Sequence, residues 1–302
     1  MQTFQYLLFL AVARIVQVLP LGAVRRAATL LAWFLYHVLP IRRALTLQQL
    51  RKAFPEHDEK DIRRIGFGSY VNLITTLLEL MWTPRLTDEV IAREIRIVNR
   101  EVFDNAIRRG KGVILMSGHF GNWEWLSIAS ARLFGHPYAV VVHSVHNPGV
   151  DALVEHWRCM HGNRVVPMGI SIREIVKTLR ERGVVAMLAD QSGPSGSLYV
   201  RYFGRWAATY EGPAMFSLRT GAPIIMGFGV RRSDGGYDIR VQEIETSDLK
   251  GLNDDHLREL TRRHVRALEA AVTEHPDHWL WQHKRWKHQP HAESVLVEDP
   301  RP

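Results

Sequence analysis

The residues best suited to chemistry in this chain are His119 and Glu124, set in the stretch Gly112–Trp125, GVILMSGHFGNWEW. An imidazole changes charge near neutral pH, so it can take a proton and give it back. A carboxylate close by can hold one ring nitrogen and leave the other for a substrate hydroxyl. Gly118 and Gly121 flank the histidine, and glycine lets a substrate or another backbone approach closely. A histidine followed by a glutamate also arises by chance, and most such pairs are surface residues. The pair therefore depends on what positions it.

Val113–Met116 is a continuous apolar run, the pattern of a strand buried on both faces. Small and turn residues then interrupt it, and Trp123 opens a helix that runs to about Leu133. His119 thus falls in a strand-to-helix turn, where sites of α/β sheets gather. The alternation continues along the chain. Tyr138–His143, Arg164–Val166, Val184–Ala189 and Ile224–Val230 read as strands, and an Asp234-Gly235-Gly236 hairpin leads to another at Tyr237–Glu243. Asp58–Trp82, Glu101–Arg109, Val150–His161, Ile172–Arg182 and Asp254–Glu274 carry helical spacing. Val184–Ala189 ends on Asp190-Gln191, a second polar pair at the end of a buried strand. The predicted fold class is α/β, a single domain over 53–290 with a central mixed sheet flanked by helices and an N-terminal hydrophobic helical anchor before it.

That N-terminal part differs from the rest. No Asp or Glu precedes Glu56, whereas Arg14, Arg25, Arg26, Arg42, Arg43, Arg51 and Lys52 are basic. Two apolar stretches lie among them, Phe4–Leu21 and Ala27–Leu39. A membrane span needs about 20 largely apolar residues. The first stretch is marginal and interrupted by Gln5, Arg14 and Gln17, and the second is short. Residues 1–52 read as a membrane anchor with an interfacial basic helix, with a pair of ordinary core helices as the alternative. The net charge of +8 points to an anionic partner, and the single cysteine, Cys159, excludes an internal disulfide. His143 and His146 lack a third ligand at metal spacing, and Ser192–Ser197 lacks the Lys-Ser/Thr of a phosphate loop. No metal and no cofactor is expected.

With these elements placed, GHFGNWE resembles the His-x-x-x-x-Asp/Glu motif of the glycerolipid acyltransferase superfamily. With glutamate in the last position, it is similar to the lauroyl and myristoyl transferase branch that acylates lipid A. Asp190-Gln191 with the following YFGRWAATYEGPA, RTGAPIIMGF, and the tryptophan-rich HPDHWLWQHKRWKHQP (His275–Pro290) agree in order and spacing. The resemblance covers nearly the whole chain. The tail 291–302 has no counterpart and is expected to be disordered.

The resemblance implies an O-acyltransferase at the cytoplasmic face of the bacterial inner membrane. His119 would act as general base on an acceptor hydroxyl, and Glu124 would orient and stabilise the imidazole. Arg158 or its rival Arg164 would contact phosphate or the developing oxyanion. Asp190 would fix that arginine or shape the pocket, and Gln191 falls in the same substrate-binding block. Trp123, Trp125 and Tyr202 are candidates to line an acyl tunnel or are plain core. The C-terminal WLWQHKRWKH would contact phosphate and membrane, bind nucleic acid, or seal the domain, the first being favoured. Acyl carrier protein or acyl-CoA would be the donor and an anionic membrane glycolipid, first a lipid A precursor, the acceptor, with no nucleic acid partner. A lysolipid, an aminolipid or a mannosylated phosphoinositide is the alternative acceptor. A non-enzymatic membrane lipid-binding protein is the alternative of a different class.

Overall fold

The computed structural model describes residues 2–169 and 172–299. Four helices come first: α1 (Gln2–Val18), α2 (Leu21–His37), α3 (Arg43–Ala53) and α4 (Glu59–Trp82). Asp58 starts α4 by accepting the Asp61 N–H at 2.7 Å, the role expected of an aspartate at a helix N-cap. Strands and helices then alternate: α5 (Asp88–Glu94), β1 (Ile95–Ile97), α6 (Arg100–Arg108), β2 (Val113–Ser117), α7 (Trp123–Phe134), β3 (Tyr138–Val142), α8 (Pro148–Cys159), β4 (Arg164–Pro167), α9 (Ile172–Arg180) and β5 (Val184–Leu188). The remainder comprises β6 (Leu198–Tyr202), β7 (Arg205–Thr209), α10 (Gly212–Thr220), β8 (Ile224–Arg231), β9 (Tyr237–Glu243), α11 (Asp254–Glu274) and β10 (Leu296–Val297).

Seven strands form one sheet in the order β1-β9-β8-β2-β5-β3-β4. Its neighbours run parallel except β8 and β9, which the Asp234-Gly235-Gly236 turn joins as an antiparallel hairpin. The sheet is therefore mixed, as expected. β2, at its centre, is buried along its whole length because helices cover both faces, so every side chain of VILMS meets apolar neighbours. Burying each large aliphatic side chain of this kind contributes about 1.5–3 kcal/mol.

The strand ends hold the feature that makes room for a site. β2 and β5 stay paired to Ser117 and Leu188. β3 leaves β5 after Val140–Ala186 but follows β4 on to Val142–Pro167. The sheet thus forks between β5 and β3 at the carboxyl ends.

The N-terminal helices lie on this domain. Val24, Ala28, Ala32 and Tyr36 recur along one side of α2 and are fully buried against α4. The small residues let the two helices approach closely. No described helix is long and apolar enough to cross a membrane, which corrects the expected hydrophobic anchor: the apolar residues of α1 and α2 are divided between a side packed on the domain and a side facing outward.

A second sheet, β10-β6-β7, was not legible as such. β10 has only two residues, and β7 opens on Arg205 and carries no continuous run of large apolar residues. The tail expected to be disordered supplies β10: Leu296 and Val297 pair with Tyr199 and Val200 of β6. Residues 300–302 of that tail lie outside the described residues.

Candidate active site

His119 stands in the turn between β2 and α7, at the fork of the sheet. Its ring Nδ1 lies 2.8 Å from Asp190 Oδ1, and its backbone N–H donates to Asp190 Oδ2 at 2.8 Å. Asp190 follows β5, the strand beside β2, so adjacent parallel strands deliver the two residues to one point. Trp279 completes the arrangement by donating its indole N–H to Asp190 Oδ2 at 2.8 Å. With three donors on one carboxylate, Nδ1 carries the ring proton and Nε2 presents its lone pair. The Gln191 amide lies 3.3 Å from that lone pair.

The carboxylate that orients the ring is thus Asp190. The expectation that Glu124 does so is corrected, as is the pairing of Asp190 with an arginine. Glu124 sits in the first turn of α7 and accepts a two-pronged grip from Arg158 of α8, at 2.6 and 2.9 Å. The guanidinium fork matches both carboxylate oxygens, and neither partner is then left for the ring. Glu124 still acts on His119 through space, favouring its charged form. Arg164 is elsewhere: it pairs with Glu174 at 2.9 Å and bonds the Thr178 hydroxyl. Of the two rival arginines, Arg158 is the one at the site.

The electrostatics follow from this geometry. Burial alone would lower the His119 pKa, but the charge of Asp190 and its hydrogen bond outweigh it, and the ring is raised above its ordinary 6.5. Burial works against the Asp190 charge too, yet His119 and the donors around the carboxylate hold it down at about 2. A base must be neutral to accept a proton. The rate should therefore rise with pH through a titration lying above 6.5 and level off beyond it. A pH profile of kcat/KM whose acidic limb has its midpoint at or below the ordinary histidine value would contradict this.

His119 opens into a cavity of about 540 Å³ that fills the fork between β5 and β3. Leu115, Leu126 and Val140 contribute from one face of the sheet, Met187, Ile175 and Phe216 from the other. The walls are largely apolar, with a polar end where His119, the Glu124–Arg158 pair and Gln191 stand together; Ser127, His143 and Tyr210 also line it. Trp123 lines this cavity, whereas Trp125 and Tyr202 are core.

The turn itself is held by two distant segments. Backbone of His278–Leu280 bonds it on one side: Gly121 N–H donates to His278 O at 2.9 Å and Leu280 N–H to His119 O at 3.0 Å. On the other side Asn122 caps α7 through the Trp125 N–H and donates to buried Glu79 of α4 at 2.6 Å. Glu79 also binds Arg25 of α2 at 2.7 Å and the Tyr237 hydroxyl. The sequence did carry a sign of this residue, an acid on the apolar side of helix α4, but not of its partners.

The C-terminal signature seals the domain, where phosphate and membrane contact was favoured. Trp279, Trp281 and Arg285 are buried. Arg285 donates to Ala208 O at 2.6 Å, Thr209 Oγ1 at 2.8 Å and Gln191 O at 3.3 Å, tying the loop after β5 to β7. Tryptophan and arginine together read as a surface motif, yet here carbonyl groups hold the guanidinium inside. Of its basic residues, Lys284 and Lys287 are exposed.

A largely parallel sheet thus carries a carboxylate-held histidine that lines an apolar-walled cavity of about 540 Å³. Residues 1–288 match the family described as bacterial lipid A biosynthesis acyltransferase. The chain belongs to that family and is an O-acyltransferase. It is 26% identical to the lipid A biosynthesis lauroyltransferase of Escherichia coli K12 over 254 residues, which cover 82% of this chain and 80% of that protein. It is 22% identical to the lipid A biosynthesis palmitoleoyltransferase of the same organism, covering 84% and 82%. The phosphatidylinositol mannoside acyltransferase of Mycolicibacterium smegmatis is 20% identical, covering 75% and 72%.

Proposed function

We propose that this protein moves a fatty acyl chain from an acyl thioester to a hydroxyl of a membrane glycolipid, first a lipid A precursor. The observation that carries the reading is the His119 Nε2 lone pair, fixed by Asp190 and facing an apolar cavity of about 540 Å³. Nε2 takes the proton of the acceptor hydroxyl as its oxygen attacks the thioester carbonyl. The tetrahedral intermediate collapses, the C–S bond breaks, and the departing thiolate receives the proton from Nε2. The acceptor is itself the nucleophile, so no acyl-enzyme forms. Asp190 holds the tautomer and stabilises the imidazolium that appears midway. Glu124 adds negative charge nearby and holds Arg158 at the polar end, where the guanidinium meets the oxyanion or a phosphate of a substrate. The acyl chain lies in the cavity.

The test is direct. Purified protein is given an acyl thioester, on acyl carrier protein or on coenzyme A, together with a lipid A precursor or a mannosylated phosphoinositide in mixed micelles. Mass spectrometry then looks for one added acyl chain. Gain on the lipid A precursor supports the proposal, and gain on the phosphoinositide alone moves the acceptor while keeping the chemistry. Gain on neither defeats it.

The outward side of α1 and α2 is proposed to lie on the inner membrane, facing the cytoplasm. Phe4, Leu8, Ile15, Leu30 and Trp33 are each more than half exposed, beside Arg14 and Arg26. An apolar strip edged by basic residues suits an anionic lipid surface. Replacing Phe4 and Leu8 together with serine should weaken co-sedimentation with anionic phospholipid vesicles by about tenfold or more, from the apolar area no longer buried. Unchanged sedimentation would remove this seat.

A further inference from the structure

The transfer proposed above brings two long-chain substrates together at one nitrogen, and in that reading the acyl group in transit takes the cavity at the sheet fork. With no acyl-enzyme, donor and acceptor must be bound together. A second cavity, of about 360 Å³, lies on the other side of Gln191. Its walls are Leu35 of α2, Leu73 and Ile74 of α4, and Leu280, with Arg42 and His283 as polar members. Gln191 lines both cavities, and its amide lies against His119 Nε2 at 3.3 Å, the position an acceptor hydroxyl must take.

We propose that this second cavity receives a hydrocarbon chain of the lipid acceptor, whose hydroxyl displaces the Gln191 amide from Nε2. Two observations select that occupant. The apolar walls continue outward rather than ending at the cavity. Leu31 of α2 and Val38, at that helix's C-cap, flank Leu35 about one turn away on either side, and on α4 Leu77 stands one turn beyond Leu73; all three are more than a third exposed. A chain can therefore slide in from a lipid surface without crossing water. Arg42 stands at the cavity and is held by the Gln282 carbonyl at 3.0 Å. It makes no ion pair among the described residues, so its charge is left for an anionic head group. The donor chain, by contrast, has the larger cavity, which meets Nε2 from the sheet side. Gln191 is then the partition between the two substrates, occupying the base until the acceptor arrives.

This rests on the acyl-transfer reading, and the test separates the two. A lipid A precursor carrying a diazirine at the end of one fatty chain is photolysed on the wild-type protein, and an acyl thioester with a terminal diazirine is photolysed in parallel. The acceptor probe should label peptides containing Leu35–Arg42, Leu73–Ile74 or Leu280–His283, and the donor probe those containing Val140–Val142 or Ile172–Ile175. Leu73→Trp fills the second cavity and should raise the acceptor KM about tenfold or more while the donor KM holds. Val142→Phe, in the first cavity, should do the reverse. Acceptor label on the strand peptides, or an acceptor KM untouched by Leu73→Trp in a protein that melts like wild type, would overturn the proposal. Labelling needs no turnover, so it decides the site even if Leu73→Trp fails to fold. It decides it also if wild type transfers no acyl chain, an outcome that defeats only the reading beneath.

Discussion

Asp190→Asn is expected to lower the rate of acyl transfer about a thousandfold, close to the loss for His119→Ala. The reason is the proton's position rather than the missing charge alone. Asp190 Oδ2 accepts from the His119 backbone N–H and from Trp279, each at 2.8 Å. An asparagine can satisfy both donors only by keeping its oxygen there, which turns its NH₂ toward Nδ1 of the ring. Nδ1 must then accept, the proton moves to Nε2, and the lone pair that strips the acceptor hydroxyl is gone. The two residues form one device, so the double variant should be no slower than the slower single. Single-turnover rates with excess protein measure this, beside circular dichroism to confirm folding. An Asp190→Asn enzyme within about fivefold of wild type would show that the ring is oriented by something else.

Gly121→Ala should cost folding stability of about 4 kcal/mol or more, among the largest effects of a single methyl group. Gly121 has φ +57, in the left-handed region that side chains avoid. More decisively, a Cβ at this position would stand 1.7 Å from the carbonyl oxygen of Gly229 in β8. The clash is with backbone on both sides, and neither can yield easily. Gly121 O accepts from Asn72 and Thr76, both at 3.0 Å, while its N–H is held by His278. Relief would therefore break the bonds that set the His119 turn. Urea unfolding midpoints check the expectation, and a loss below about 1 kcal/mol would mean the turn is far softer than its contacts indicate. The same bonds have a chemical consequence. The Gly121 N–H is already used by His278 and is not left to bind a substrate carbonyl.

Local patterns along the chain were enough for the elements that burial imposes. Apolar runs and helical spacing placed β2, β3, β5, β8 and β9 and the long helices α4 and α11 within a few residues, because burial on one or both faces imposes its own period. The strand-to-helix turn put His119 at a strand end, and the joint motifs led to the family. Two strands escaped: β7 and β10 are held by pairing with β6, a relation no local pattern records.

Which acid serves the histidine is a matter of how the strands are ordered in the fold. Glu124 is five residues away along the chain, and Asp190 is 71. Nearness in sequence favoured the first. The order of strands, with β5 beside β2, delivers the second to the ring, while the first turn of α7 directs Glu124 to Arg158. Nor could sequence say that the apolar N-terminus divides into a side packed on α4 and a side left outward, since both sides read as equally hydrophobic. Contacts between segments far apart in the chain follow from how sheets and helices stack, and that stacking is a property of the whole fold, not of any one stretch.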